Sequence, residues 1–402
     1  MNSPHQDLPT GARALLVALA TPAPNGLTGV PVLLWGRPGV GKSSFIEALR
    51  TPDLPITTLI ASIHDPTDFS GLPVLEEGKV RYAVPRWVDD FSDSAAGVLF
   101  LDELSTAPPS VQSALLRVVF ERRVGFHPLP TGVRIVAAAN PPDLMVGGWE
   151  LSPPLRNRFV HLNWDIPTDL YVRSLSDGWA TATLPLVDPA EHGRKLGDFQ
   201  RKITGFLRVK PDALHANPEE NKYGFASPRS WDFVTTLLAT ADLLGYRAEA
   251  EENNEVVYEL AVGCLGEPTA LMLLEYLRNL RLPDPAAVLS GEVMVDPTDL
   301  DDSELYVLFA GLNDQLQRLP SGNSEQLLDY SAVYLRLATQ TFRAGRRDVI
   351  FVPLKQLAQT TWLVSLANAA QAAGGETATE TLSAINRLFA DEGLREFIEV
   401  LQ

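Results

Sequence analysis

Five short runs of apolar and β-branched residues punctuate the first 165 positions: VPVLLW at 30–35, ITTLIA at 56–61, GVLFLD at 97–102, VRIVAAA at 133–139 and FVHLNW at 159–164. They read as buried strands. Helical patterns lie between them, at 43–50 and 109–121. In the second, Val111, Ala114, Leu115, Val118 and Val119 recur at three- and four-residue spacing. Strands that are apolar almost throughout, alternating with helices, predict an α/β fold with a parallel sheet covered on both faces.

Past position 165 the strand pattern stops. Residues 166–290 read as helices and loops, with Ser227-Pro228 making an N-cap and first-turn pair. The Pro- and Asp-rich stretch 282–302 reads as a linker, and the last hundred residues read as helices, ending with TATETLSAINRLFADEGLREFIEVLQ. The expected organisation is an α/β core over 1–165 with a short N-terminal helical extension, a helical lid over 166–290 and a C-terminal helical region over 303–402. No internal repeat or low-complexity tract is evident.

Composition narrows the picture. The 402 residues are 45% hydrophobic and 21% charged, as in ordinary globular proteins. Their 33 Lys and Arg against 50 Asp and Glu leave a net charge of −17, which opposes general attraction to nucleic acid or anionic lipid. Cys264 is the single cysteine, so an intrachain disulfide or a cysteine zinc site is excluded. The opening residues lack the basic segment of a signal peptide, and no run reaches the roughly 18 apolar residues of a spanning helix. The expected location is the cytoplasm.

GRPGVGKS, 36–43, fits G-x-x-x-x-G-K-[ST] between a predicted strand and a predicted helix. Glycines let backbone N–H groups curl around phosphate oxygens, Lys42 reaches the terminal phosphates, and Ser43 suits Mg²⁺. Gly36, Arg37, Pro38, Gly39, Val40, Gly41, Lys42, Ser43 and Ser44 are therefore the expected nucleotide cradle. VLFLDE ends a buried strand in two carboxylates. Asp102 is placed to hold the Mg²⁺ shell with Ser43, and Glu103 to polarise an attacking water, although acids there can also cap the next helix. IVAAAN ends another strand in Asn140, an amide suited to orienting water or touching a phosphate, or simply to a turn. His64, His127 and His161 have no spacing that suggests a metal site.

GRPGVGKS, GVLFLDELSTAPPSVQSALLRVVFERRVG, IVAAANPP, LSPPLRNRF and FASPRSWDF, in that order, resemble the AAA+ ATPases, most of all the MoxR-type branch, over about residues 28–235. The resemblance implies Walker A roles for Lys42 and Ser43 and Walker B roles for Asp102 and Glu103. By the same likeness Asn140 is sensor 1, Arg158 the arginine finger and Arg229 sensor 2. Arg156 has no firm counterpart; it assists in trans or pairs with an acid across an interface. VLEEGKVRYA, broken by Glu-Gly, reads as a hairpin. With ERRVGFHPLPTGVRI, a second hairpin candidate, it falls where the branch carries hairpins that tend to face the pore or substrate.

The resemblance implies an ATP- and Mg²⁺-dependent ring, a hexamer, that remodels or helps assemble a protein client in the manner of a chaperone. It also implies a partner with a von Willebrand factor A domain. Two alternatives stand beside it. A nucleic-acid motor is disfavoured because RAGRRD, 343–348, is the main basic cluster. A nucleotide-switched binding module with slow hydrolysis is disfavoured by the complete set Lys42, Asp102, Glu103, Asn140 and Arg158.

Overall fold

In the computed structural model, described over residues 7–92, 94–144, 148–249, 255–320, 323–373 and 383, the five predicted strands form one parallel sheet. The strands among the described residues, in chain order, are β1 (Val32–Trp35), β2 (Ile56–Ile60), β3 (Leu72–Glu76), β4 (Lys79–Ala83), β5 (Ala96–Asp102), β6 (Arg123–Val124), β7 (His127–Pro128), β8 (Gly132–Ala139) and β9 (Val160–Asn163). The large sheet runs β2-β5-β8-β1-β9, every pairing parallel. Its central strands β5, β8 and β1 are buried on both faces, which is why they read as unbroken apolar runs rather than alternating ones.

This order puts the chemistry in one place. β1 pairs with β8 and β8 with β5, so the residues leaving their C-terminal ends emerge side by side. Trp35 is registered against Ala139, and Leu101 against Ala137. Gly36, Asp102 and Asn140 therefore lie at nearly one level, where ligands of open α/β sheets bind.

The two short hairpins are also present. In β3–β4 the turn residues Glu77 and Gly78 have φ of 52° and 74°, the two positive angles that the tightest hairpin turn demands. β6–β7 turns at Gly125, whose φ is 57°.

The described helices are α1 (Thr10–Ala20), α2 (Lys42–Ala48), α3 (Thr67–Ser70), α4 (Pro109–Glu121), α5 (Pro153–Arg156), α6 (Thr168–Asp177), α7 (Pro189–Val209), α8 (Pro228–Leu243), α9 (Glu255–Leu265), α10 (Glu267–Asn279), α11 (Pro285–Leu289), α12 (Asp302–Gln317), α13 (Ser324–Arg343), α14 (Arg347–Ala358) and α15 (Trp362–Ala373). None is long and apolar enough to cross a membrane. On α4, Val111, Leu115, Val118 and Val119 all face the sheet core. The start of α8 follows the sequence: Ser227 and Ser230 form a reciprocal capping box, with Pro228 in the first turn.

The chain divides into two compact units, Met1–Gln200 with Lys210–Arg278, and Arg201–Val209 with Asn279–Gln402. The second has its own core around Phe309, Tyr334 and Trp362, with the Trp362 indole donating to Ser331 at 3.0 Å. The stretch read as a linker is a packed part of that unit: it contains α11, whose Val288 and Leu289 are buried. Its acids serve as caps, Asp284 accepting from the Ala286 amide and Asp296 from Thr298, so the composition of a linker here marks turn starts. The final predicted helix, TATETLSAINRLFADEGLREFIEVLQ, lies outside the described residues except for Ser383.

Candidate nucleotide site and arginine face

The P-loop is a turn that glycine makes possible. Gly39 and Gly41 have φ of 78° and 81°, and Gly41 caps α2 in the left-handed region, which costs other residues about 1–2 kcal/mol. A β-carbon on Gly39 would meet nothing within 4 Å, whereas one on Gly36 would strike the Trp164 carbonyl at 2.5 Å. The loop is thus packed underneath and open above. Arg37, Pro38, Gly39 and Ser44 are exposed along it, and Val40 accepts from the Trp164 indole at 3.2 Å.

Lys42 opens α2 and is largely buried, its ammonium donating to the carbonyls of Gly36 at 2.5 Å and Arg37 at 3.1 Å. Burial pulls its pKa below the ordinary lysine value, and the Asp102 charge works against that pull. Ser43 donates to Asp102 at 2.7 Å, so the two residues read as the cation pair meet directly across the sheet.

Glu103 is held differently. It leaves the strand at φ 55°, a left-handed conformation uncommon for a residue with a side chain. Its amide donates to Asp102 at 2.9 Å, and its carboxylate accepts from Ser62 at 3.2 Å. Ser62 follows β2, where Ile60 is registered against Asp102, so strand pairing brings the hydroxyl to the acid. The Asn140 backbone N–H donates to the Ser105 hydroxyl at 3.4 Å, which places the residue beside the same turn. No motif points to Ser62 or Ser105; strand order brings them here.

The arginines of LSPPLRNRF lie at the opposite end of the edge strand. β9 pairs with β1 so that Val160 opposes Val32 and Asn163 opposes Trp35. Arg158 precedes Val160 by two residues and Gly36 follows Val32 by four, a separation of up to roughly 20 Å along the strand. Arg158 donates to the Pro154 carbonyl at 2.6 Å, and its guanidinium carbon stands 5.4 Å from the centre of the Phe120 ring. Arg229, at the start of α8, stands 4.6 Å from the same ring. Burial and the adjoining Arg229 charge lower the pKa of Arg158, with Glu121 opposing them. Asn157 fixes the arrangement, since its side-chain oxygen accepts from Ser227, the cap of α8, at 2.8 Å. Phe120 and Asn157 gave no signal in the sequence.

Arg156 is turned into its own chain. It donates to the carbonyls of Asn221 at 2.5 Å and Pro218 at 2.9 Å, and lies 5.6 Å from the Phe225 ring. Backbone carbonyls of the 218–221 loop thus engage both terminal nitrogens of the guanidinium, while its Nε is buried without a partner.

The hairpins carry the remaining feature. Pairing in β3–β4 puts Pro73 opposite Tyr82 and Leu75 opposite Val80 on one face. Leu75 is 78% exposed and Val80 62%, and Phe126 from the β6–β7 turn, 69% exposed, packs its ring 5.5 Å from Tyr82. The apolar residues absent from the tip at 76–79 lie behind it, Leu75, Val80 and Tyr82 on this face and Leu72 and Val74 on the other.

A nucleoside triphosphate and a divalent cation fit these residues. The cradle above Gly39 is open, the Lys42 ammonium is satisfied by backbone carbonyls alone, and a hydroxyl and a carboxylate converge at Ser43 and Asp102. Among the described residues no cluster of three or more His, Cys, Asp or Glu forms a metal cage. Mg²⁺ does not need one, being held by one or two protein oxygens together with phosphate and water.

Residues 31–159 match the AAA domain of the dynein-related subfamily. The chain is similar to the Psp operon transcriptional activator of Escherichia coli, 37% identical over 119 residues, 27% of this chain and 37% of that protein. It is similar to the chaperone MoxR1 of Mycobacterium tuberculosis, 30% identical over 145 residues, 32% and 34% of the two chains. A solved protein from Cytophaga hutchinsonii overlays with a TM-score of 0.41 at 17% identity, covering 67% of this chain and 88% of that one. The chain spans only about a third of the length of the two curated relatives.

Proposed function

We propose that this chain, whose residues 31–159 match an AAA domain, hydrolyses ATP in a ring of like subunits and uses the energy to remodel a protein client. The position of Arg158 carries the reading. An arginine roughly 20 Å along the strand from its own P-loop is suited to a nucleotide held by a neighbour. Arg229 shares the Phe120 ring with it, so both arginines would serve that neighbouring site.

Within a subunit, Lys42 and the loop amides bind the phosphates, and Asn140 lines the water side. Glu103 takes the proton of the attacking water once its carboxylate leaves Ser62. Ser43 and Asp102 would hold Mg²⁺, which when bound neutralises charge on the phosphate oxygens. Arg156 then acts as a strut for the loop rather than as a group in trans.

A ring of six is the size we propose, with a von Willebrand factor A domain protein as co-partner and the cytoplasm as location. The client would meet the face of Leu75, Val80, Tyr82 and Phe126, an apolar surface suited to extended, unfolded segments. A nucleic-acid role is less well supported. Arg346, in the main basic cluster, is occupied by Asp302 at 2.5 Å and by the carbonyls of Pro297 and Leu300.

Mixing subunits tests the shared site. Arg158→Ala and Glu103→Gln are each expected to bind ATP without turnover, and their mixture to recover part of the activity. Normal hydrolysis by Arg158→Ala alone, or a mixture that stays inactive, would overturn the reading. Addition of an unfolded polypeptide should raise turnover; stimulation by DNA instead would favour the nucleic-acid motor.

A further inference from the structure

We propose that Trp35 and His161 are a positioning pair that couples the strand bearing the P-loop to the arginine loop offered to the neighbouring subunit. This rests on the shared-site reading, and the experiment below separates the two.

Trp35 is the last residue of β1, immediately before Gly36, and His161 lies on β9, both enclosed in the core. The Trp35 indole nitrogen donates to His161 Nδ1 at 2.8 Å. An indole N–H can only donate, so Nδ1 must be the unprotonated nitrogen. The ring proton of neutral His161 is therefore on Nε2, which donates to the Arg156 carbonyl at 3.0 Å. Burial holds the imidazole pKa down at about 4, so the ring stays neutral with both nitrogens committed. The Trp35 and His161 rings lie nearly coplanar, 9° from parallel with centres 6.0 Å apart, and Tyr223 packs against both.

Both ends of this connection are anchored. At one end Gly36 donates its amide to Ala139 and the Trp35 carbonyl accepts from Trp164, so the head of the P-loop is tied into the sheet. At the other, the Arg156 carbonyl closes α5 immediately before Asn157, which is bound to the cap of α8, and Arg158. Each link is a hydrogen bond of 2.8–3.0 Å, buried or partly buried. A displacement of the P-loop head on nucleotide binding would thus move the backbone that carries Arg158 and, through Ser227, the helix that carries Arg229.

Rings mixed from Glu103→Gln and Arg158→Ala subunits supply the test. In such rings an active site takes its P-loop from an Arg158→Ala subunit and its arginines from a Glu103→Gln subunit. His161→Phe added to the arginine donor should cut the recovered rate about tenfold, the scale of one lost buried hydrogen bond. Added to the P-loop donor, it should leave that rate within about twofold. Binding of a fluorescent ATP analogue to His161→Phe should stay close to that of the unaltered chain. Trp35→Phe, which strips His161 Nδ1 of its donor but keeps a ring, should give the same asymmetry and serves if His161→Phe fails to fold. Equal loss in both arrangements, loss confined to the P-loop donor, or no loss in either would overturn the proposal. If the parent mixture recovers nothing, the shared-site reading falls and this proposal with it.

Discussion

Arg158 and Arg229 come from distant parts of the chain yet rest on one aromatic ring, their guanidinium carbons 5.4 and 4.6 Å from its centre. Two cations held this close repel each other unless an anion stands nearby, and the phosphates of a neighbour's nucleotide would supply it. Arg158→Ala should therefore lower kcat about 10³-fold, the usual scale for an arginine finger, with ATP affinity nearly unchanged. Arg229→Ala should also lower kcat, by less, and the double variant should do little more than Arg158→Ala alone. Phe120→Ala leaves both guanidiniums without their ring and should cost about two- to fivefold in kcat. Steady-state ATPase assays beside nucleotide binding measure all four, and a fully additive double variant would mean that the arginines act apart.

The contact between Ser62 and Glu103 leads to a prediction of opposite sign. The hydroxyl stabilises the carboxylate and holds it at the end of β2. Its removal in Ser62→Ala should raise turnover without client about two- to fivefold, with affinity for ATP unchanged. Glu103→Gln should reduce turnover at least about 100-fold while still binding ATP. A slower Ser62→Ala enzyme would mean that the hydroxyl helps to aim the acid.

These two cases mark how far the sequence could be read. The P-loop, Asp102, Glu103 and Asn140 were legible because each ends an apolar strand, and that pattern survives in one dimension. The Glu-Gly hairpin was legible because only certain residues accept two positive φ angles in succession. Ser62, Phe120 and Asn157 were not, since their roles arise from strand order and from the approach of α8 to α5, which leave no periodic trace. Arg156 had no firm counterpart in the resemblance, and the carbonyls at 218 and 221 that capture it lie far along the chain. The supposed linker was misleading because proline and aspartate mark capped turns as readily as free chain.

Ser43 and Asp102 predict a metal requirement. Chelation with EDTA should stop hydrolysis, and Mg²⁺ should restore it. Asp102→Asn, which keeps the shape but loses the charge, should need a higher Mg²⁺ concentration for half-maximal rate. Turnover insensitive to EDTA would exclude the pair from a metal role.

Glu259 on α9 accepts the Asn163 amide at 2.5 Å, and burial raises its pKa despite that bond. The folded state then binds this proton more tightly than the unfolded chain does. Above the raised pKa the ionised carboxylate lowers stability, and the cost fades as pH falls through that pKa. Glu259→Gln keeps an acceptor for Asn163 without the charge, and should raise Tm by about 2 °C at pH 7.5. Near pH 4 the two proteins should melt together. A Glu259→Gln protein less stable than its parent at neutral pH would show that the carboxylate contributes as an anion.

His161 gives the remaining pH dependence. Its pKa falls from an ordinary 6.5 to about 4 in the folded chain, because burial penalises the imidazolium and both nitrogens are already engaged. Unfolding at intermediate pH therefore takes up a proton, and the stability this residue confers is complete above pH 6.5. It drains away as pH falls toward 4, by up to roughly 3 kcal/mol over that interval. Other groups titrate in the same range, so the comparison that isolates His161 is urea unfolding against His161→Phe at several pH values. The margin of the parent over the variant should be widest near neutrality and shrink steadily on acidification. A margin that stayed constant from pH 7 to pH 4 would mean that the imidazole is not held neutral between Trp35 and Arg156.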